Sequence, residues 1–501
     1  MAKGSAGFGE VVFLTVVTAT DTPKPQQITE IDRLPVVVDL DDTLLRTNSF
    51  IESIFVLART KPMSLFRLPV WWLKGTAHCK RLLASAALPD VHLLPYHSDV
   101  LTYLRDQKAL GRSVILAAAV DQSLAREINR DTGLFDEIHA SDGRINLSAN
   151  CKRERLIGRF GERGFDYLGS RPADFPVWCA ARRALLVSPS SHLERKVAAV
   201  TPIERVFREQ KAGFLDYLHA LRVHHWVKNF LVFMPLALAH RFFEFELLGR
   251  AALAFLAFNL CASGVYLLND LLDLPADRRH PKKKERRLAS GRIRLSHALV
   301  MTPLILAGAF AIAWHLSIGF TAVLAVYVVL MVEYSMKLKD IAIIDVLVLA
   351  SGYALRVAAG AVAVDVELSP WLLTFCVFLF LSLALIKRCS ELLLAELAPG
   401  PSHARGYSGS DKVVLVAQGI ASGYLSVLVL ALYTNSDISQ RMNTRHDYFW
   451  GVCLLLLYWM SYLWMMAIRG KIHNDPVIFA LSDRVSRWTM VLAALFTLLA
   501  I

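Results

Sequence analysis

The chain has 501 residues, 55% of them hydrophobic, and a formal net charge of +12. That is long enough for two or three domains. Its mean hydropathy, +0.42, is too high for an ordinary soluble protein. The basic excess sits in particular loops between apolar runs, a pattern of membrane topology rather than of nucleic-acid binding. The seven cysteines are scattered with no CxxC pair, which excludes a disulfide frame and a cysteine metal site.

In chain order, residues 1–34 are poorly patterned, and the apolar run 11–17 is too short to cross a bilayer. We read them as an extension or an extra strand. Residues 34–45 read LPVVVDLDDTLL. A β-branched run ending in carboxylates predicts a buried parallel strand with Asp39 and Asp41 at its C-terminal end, where ligands bind in open α/β sheets. The DxDxT pattern resembles the first signature of the haloacid-dehalogenase-like (HAD) phosphatases. By that resemblance Asp39 is the nucleophile, Asp41 the general acid, and Thr43 a support for the turn.

The rest of that family's pattern follows with departures. Residues 114–120, VILAAAV, resemble the second strand, and Ala118 stands where the family places a phosphate-binding hydroxyl. Lys152 matches the charge-neutralising lysine. In GSRPAD, Ser170 replaces the first metal-binding aspartate while Asp174 remains. The resemblance implies a Rossmann-like α/β domain over 35–190, with a small helical cap at about 48–108 and Mg²⁺ held by Asp39, Asp41 and Asp174. Two readings stand: a phosphatase with weakened metal and phosphate contacts, or a HAD fold kept for structure or regulation. Residues 191–215 read as a linker.

Beyond it lie nine apolar segments, roughly 226–242, 251–272, 297–315, 318–335, 342–363, 370–386, 413–433, 449–468 and 485–501. Most approach the ~20 residues that span a bilayer, and helices are the form that satisfies their backbones. The strongly basic loops all fall on one side, which predicts a multi-pass protein of a bacterial-type inner membrane. Its soluble domain is then cytoplasmic and its C-terminus outside.

Residues 269–291, NDLLDLPADRRHPKKKERRLASG, close the second segment. Asn269, Asp270, Asp273 and Asp277 fall near one helical face. Carboxylates at a membrane boundary are costly unless they bind something, and hard oxygens suit Mg²⁺ and, through it, a diphosphate. Lys228 and Asn229 open the first segment in HHWVKN. Tyr334, Lys337 and Lys339 end the fourth, and Asp345 and Arg356 lie in the fifth. Lys387, Arg388 and Glu391 end the sixth; Arg405 and Tyr407 precede the seventh; Asp475, Asp483 and Arg484 precede the ninth, while His473 is read as loop topology alone. An ion pair between Arg356 and Asp345 is an open alternative to a binding role.

NDxxDxxxD after the second of nine segments resembles the UbiA superfamily of intramembrane prenyltransferases, over about 216–501. That resemblance implies that the four residues bind Mg²⁺ and a diphosphate. The second DxxxD of the aromatic prenyltransferases is replaced here by KRCSELLLAE. This departure, with HHWVKN and YSMKLK, resembles the decaprenyl-phosphate phosphoribosyltransferase branch. The branch implies a cytosolic phosphoribosyl diphosphate donor and a polyprenyl phosphate acceptor, with the convergent lysines and arginines meeting both anions. The alternative is transfer of a prenyl group from prenyl diphosphate to an aromatic or other small acceptor. A membrane scaffold is a third, non-enzymatic reading. The expected partners are a polyprenyl lipid, membrane lipid and a diphosphate, with no nucleic acid; a homo-oligomer is compatible with the sequence.

Overall fold

The structure is a computed structural model, and it describes residues 34–209, 212–396, 406–436, 445–472 and 475–500. Arg405, His473 and nearly all of the expected N-terminal extension lie outside the described residues. The N-terminal part is a six-stranded parallel sheet with strand order β3-β2-β1-β4-β5-β6. The strands are β1 Val36–Val38, β2 Val114–Asp121, β3 Glu137–Ser141, β4 Asp166–Gly169, β5 Ala184–Val187 and β6 Ile203–Phe207. Side chains alternate between its faces. Val36 and Val38 enter one buried cluster and Val37 the other. With both faces covered by helices, the strands are apolar throughout, as a parallel sheet requires.

The sheet runs further than the sequence suggested. Residues expected as linker form the helix Ser191–Ala198 and β6, which pairs with β5. The amphipathic repeat of that helix and the short IERVF run were hidden by their high charge. The order changes direction between β1 and β4, and there the carboxyl ends open a crevice. The cap is narrower than expected. The helix Ser49–Thr60, a 3₁₀ turn over Pro62–Arg67, and helices Leu68–Leu73 and Thr76–Ala86 form it. The helix Ser98–Ala109 instead packs its Val100, Tyr103 and Leu104 into the sheet's own core.

The C-terminal part is a helical bundle. Among the described residues, seven helices are long and apolar enough to cross a membrane: Phe245–Leu272, Leu295–Leu316, Ile318–Met336, Ile344–Ala363, Pro370–Leu394, Gly409–Thr434 and Phe449–Ile468. Nine such spans are not found among the described residues. The expected first is a 3₁₀ run, Val223–Phe233, followed by the short helix Met234–Leu238, and the expected ninth is the 17-residue helix Arg484–Ala500. The first fails to form one long helix because Lys228 and Asn229 are buried inward and Pro235 restarts the chain.

Candidate functional site

Two acidic sites lie in the molecule, and one helix runs between them. The first is at the carboxyl ends of β1 and β4. Beyond β1 the chain turns sharply, with Asp42 at φ 58°, a left-handed conformation that a short Asp tolerates. Asp39 Oδ1 accepts from Lys152 Nζ at 2.8 Å, and Arg171 Nη2 stands 3.7 Å from its Oδ2. Lys152 also donates to the Tyr167 hydroxyl (3.0 Å), which donates to Asp174 Oδ1 (2.9 Å). Asp174 Oδ2 accepts from the backbone N–H of Ser170 and of Arg171. Thr43 donates to the Ser170 hydroxyl at 3.0 Å.

The neighbours of these acids are therefore cations and hydroxyls, and among the described residues no three acids converge on an ion position. This set does not fit the Mg²⁺ site expected of Asp39, Asp41 and Asp174. Ser170 cannot supply the missing charge, and Arg171 stands beside Asp39 as the compensating cation. Ala118 is fully buried and offers no hydroxyl. Burial pushes the Asp41 carboxyl up to about 6, although the Ser49 N–H (2.9 Å) and Arg171 oppose it. Burial likewise raises Asp174 and lowers Lys80. Lys80, on the cap, donates to Asn146 Oδ1 at 2.9 Å and lines a small pocket with Asp41.

The second site is a cavity of about 300 Å³ at the aspartate-rich end of the bundle. Seven basic side chains line it: Arg222, Lys228, Lys283, Arg286, Lys339, Arg356 and Lys387. Four carboxylates join them: Asp273, Asp277, Glu391 and Asp475. Asn269, His225, Ser335, Tyr334 and three further tyrosines, Tyr266, Tyr327 and Tyr353, add to the polar wall.

The aspartates do not form the single row that the spacing suggested. The helix Phe245–Leu272 ends at Asp273, and a new short helix, Leu274–Arg279, starts with Pro275 in its first turn. Asp270 is not part of the cavity wall; it pairs with Arg222 and, at 3.2 Å, with Arg286 Nη1. The same Arg286 nitrogen lies 2.6 Å from Asp277 Oδ2. Asp273 grips Lys339 Nζ with both oxygens at 2.7 Å and also pairs with Arg59. The guanidinium of Arg286 thus occupies a position between two carboxylates that a cation would take. Asp270 and Asp277 fit a divalent ion in the manner of Mg²⁺, which takes one or two carboxylates and fills its remaining positions with phosphate and water.

Other expected residues divide between wall and support. Lys228 lines the cavity and pairs with Asp475, which lies 3.9 Å from Lys387 Nζ. Burial alone would raise the Asp475 carboxyl, but Lys228 and Lys387 outweigh it and hold it below the usual range. Arg356 donates to Asn229 Oδ1 at 2.6 Å and to the Tyr327 hydroxyl at 3.2 Å, and stacks on Phe258, Tyr327 and Tyr353. It does not pair with Asp345. Asp345 is fully buried and held by Arg388 and the Tyr407 hydroxyl. Asp345 and Arg388 therefore stand behind the wall, as does Asn229, and Lys337 is exposed outside it. Sequence reasoning missed Arg222 and the three tyrosines. The only signal of the tyrosines was a polar atom recurring in apolar helices, and Arg222 had none.

Several arginines of the basic run pair with protein acids while parts of the run stay exposed. Arg278 pairs with Glu52, Arg279 with Asp90, and Arg287 and Arg292 with Asp216. Glu52 and Arg59 belong to the cap helix Ser49–Thr60. Its first residue donates to Asp41 and its Arg59 reaches Asp273. At 1.5 Å per residue this helix bridges about 15 Å between the two sites.

The model of the UbiA prenyltransferase family matches residues 230–392. A protein of Sinorhizobium fredii named "Uncharacterized protein y4nM" is 34% identical, over 91% of this chain and 88% of its own length. "Nodulation protein NoeC" of Azorhizobium caulinodans is 33% identical over 54% of this chain and 89% of its own. The decaprenyl-phosphate phosphoribosyltransferase of Mycolicibacterium smegmatis is 32% identical over 54% of this chain and 86% of its own.

Proposed function

The chain belongs to the UbiA prenyltransferase family, a multi-pass membrane protein with an α/β domain fused at its N-terminal side, and from that premise we propose that it transfers 5-phosphoribose from phosphoribosyl diphosphate to a polyprenyl phosphate. The observation that supports this most is the charge of the cavity. Seven basic groups against four carboxylates leave an excess that suits two anionic substrates. An aromatic acceptor brings no second phosphate, so the prenyl-transfer alternative leaves that excess without a role.

Asp270 and Asp277 would hold a divalent cation, with Asp273 beside them on Lys339, and the cation when bound would supply positive charge to the leaving diphosphate. Lys339 and Arg286, already bonded to these aspartates, are placed to turn to phosphate oxygens when a substrate enters. Lys228 and Lys387, on the opposite wall beside Asp475, are placed for the acceptor phosphate. Holding both anions in one pocket makes attack at C1 an intramolecular event, and no covalent nucleophile is required. Arg356 and its tyrosines keep the floor of the pocket fixed. We place this end of the bundle, with the soluble domain, on the cytoplasmic side, because the basic loops gather there.

For the soluble domain we favour a structural or regulatory role over phosphatase turnover. Asp39 is already neutralised by Lys152 and Arg171, and neither a hydroxyl at 118 nor an acid at 170 supports phosphoryl transfer. Phosphate release from the lipid product by the whole protein, lost in Asp39→Asn, would overturn this.

The transfer itself is tested by incubating membranes with phosphoribosyl diphosphate labelled in the sugar and with polyprenyl phosphate. Label should pass to the lipid phase with wild type and stay in water with Asp273→Ala. Label that stays water-soluble with wild type, while labelled prenyl diphosphate is consumed, would refute the proposal in favour of prenyl transfer.

A further inference from the structure

One stretch of the cap is out of place on a soluble domain. Over residues 62–74, PMSLFRLPVWWLK, Leu65, Leu68 and Trp71 face inward and pack in the cap's own core. The other face is apolar as well: Met63 is 79% exposed, Phe66 80%, Leu73 86%, and Val70 and Trp72 more than half. A helical stretch that is apolar all round belongs inside something. Exposed apolar clusters of this kind mark a binding surface.

The stretch is held close to the spans. Arg59, two residues before Lys61, donates to the Leu272 carbonyl (3.5 Å) and pairs with Asp273 at the end of the span Phe245–Leu272. Leu65 packs against the cluster that contains Leu267 and Leu271 of that span, together with Met301, Ile305 and Met336 of the next two. Phe66 and Met63 are therefore neighbours of the residue that meets the spans at their aspartate-rich ends. Lys61, Arg67 and Lys74 flank the apolar face and are exposed.

We propose that residues 62–74 are a membrane-interfacial element, whose outer face enters the headgroup and acyl boundary of the same bilayer that holds the seven spans. An apolar face with tryptophan at its edge and basic residues beside it is the composition that lies in that boundary. The lysines and arginine then meet lipid phosphates. Gly75, at φ +112°, turns the chain from this element into the helix Thr76–Ala86 that carries Lys80 over the Asp41 pocket. One wall of the soluble pocket is thereby mounted on the membrane surface.

The test uses the full-length protein in nanodiscs, with Cys151→Ser and Cys179→Ser removing the accessible thiols. A bimane label is placed at Phe66→Cys, at Leu73→Cys, or at Leu110→Cys. Leu110 is also apolar and exposed, but it precedes the amino end of β2, at the end of the sheet opposite the carboxyl ends of the strands. Lipids brominated in the acyl chain should quench the labels at 66 and 73 about twofold, and leave the label at 110 unchanged. Aqueous iodide should do the reverse. Labels at 66 and 73 that iodide quenches as strongly as the one at 110, with no effect of brominated lipid, would overturn the proposal. So would labels shielded from both quenchers in nanodiscs holding two cross-linkable copies, which would assign the face to a second copy of the chain.

Discussion

Replacing Glu52 with alanine should loosen the soluble domain from the bundle. Glu52 is 1% exposed and accepts from Arg278 Nη2 at 2.6 Å, from Arg278 Nη1 at 3.1 Å and from the Thr47 hydroxyl at 2.6 Å. Alanine would leave the Arg278 guanidinium, 6% exposed, with its bond to the Ala289 carbonyl alone. Removing one partner of a buried pair costs about 3–5 kcal/mol, because the remaining charge stays desolvated. For a unit of this size that is a fall in melting midpoint of roughly 10 °C. Arg59→Ala breaks a pair in which Arg59 is one-third exposed, and should cost no more than about 1 kcal/mol. The double variant Glu52→Leu, Arg278→Met should recover most of the loss, since apolar groups of similar size leave no orphaned charge. The assay is melting of the full-length protein in nanodiscs, followed by labelling of the buried Cys79 in the cap and by proteolysis between the soluble domain and the bundle. Equal effects of Glu52→Ala and Arg59→Ala, or no recovery in the double variant, would refute the argument that desolvated charge governs the docking.

Arg356→Lys should lower transfer by about 10- to 100-fold with folding intact, because an ammonium cannot keep both charge-assisted bonds to Asn229 and Tyr327; the labelled-donor assay at matched protein amount measures it. Asp41→Asn should stabilise the soluble domain increasingly as the pH rises from about 4, with the full gain above about pH 6. The Asp41 carboxyl is raised from 3.8 to about 6, so the fold favours its neutral form, and the cost of ionising it is absent below pH 4 and complete above the raised value. The gain is at most about 3 kcal/mol, read as the pH dependence of Cys79 labelling in EDTA; a stabilisation that is the same at pH 4 and pH 8 would contradict the assignment.

What the sequence made legible was local. DxDxT after a β-branched run and NDxxDxxxD after an apolar one each set their acids within a few residues of the end of one element, so spacing alone carried them. The long helices were legible because length and hydropathy decide them. What the sequence hid was set by tertiary contact. Arg222 sits at a left-handed turn, φ 52°, between a short helix and a 3₁₀ run, and nothing local marks it as the partner of Asp270. The break at Asp273 could have been read from Pro275, which disfavours one continuous helix through Asp277 and so splits the row of acids. Asp345 and Arg388 looked like site residues because charges inside spans usually are. They instead satisfy each other, which is the other solution open to a membrane-embedded charge.

Both acidic sites are filled by the protein's own cations, yet the two differ in how readily those cations can leave. In the bundle, Arg286 stands on the loop beyond Arg279, is 31% exposed, and bridges Asp270 and Asp277 from outside. A ligand can displace it without breaking an element of the fold; Arg222 then still pairs with Asp270, and Asp277 is the carboxylate that loses its partner. In the soluble domain, Lys152 is 3% exposed, anchored on the helix Ala149–Phe160, and tied to Asp39 and Tyr167 at once. Arg171 could swing away from Asp39, but Lys152 would still neutralise it. A movable counter-charge is what a binding site needs, since an incoming ion or phosphate must take its place. A fixed one is what a framework needs. On the proposed reading, the same carboxylate chemistry is open to ligand at the membrane and closed in the sheet, and the difference comes from the elements that carry the cations, not from the aspartates themselves.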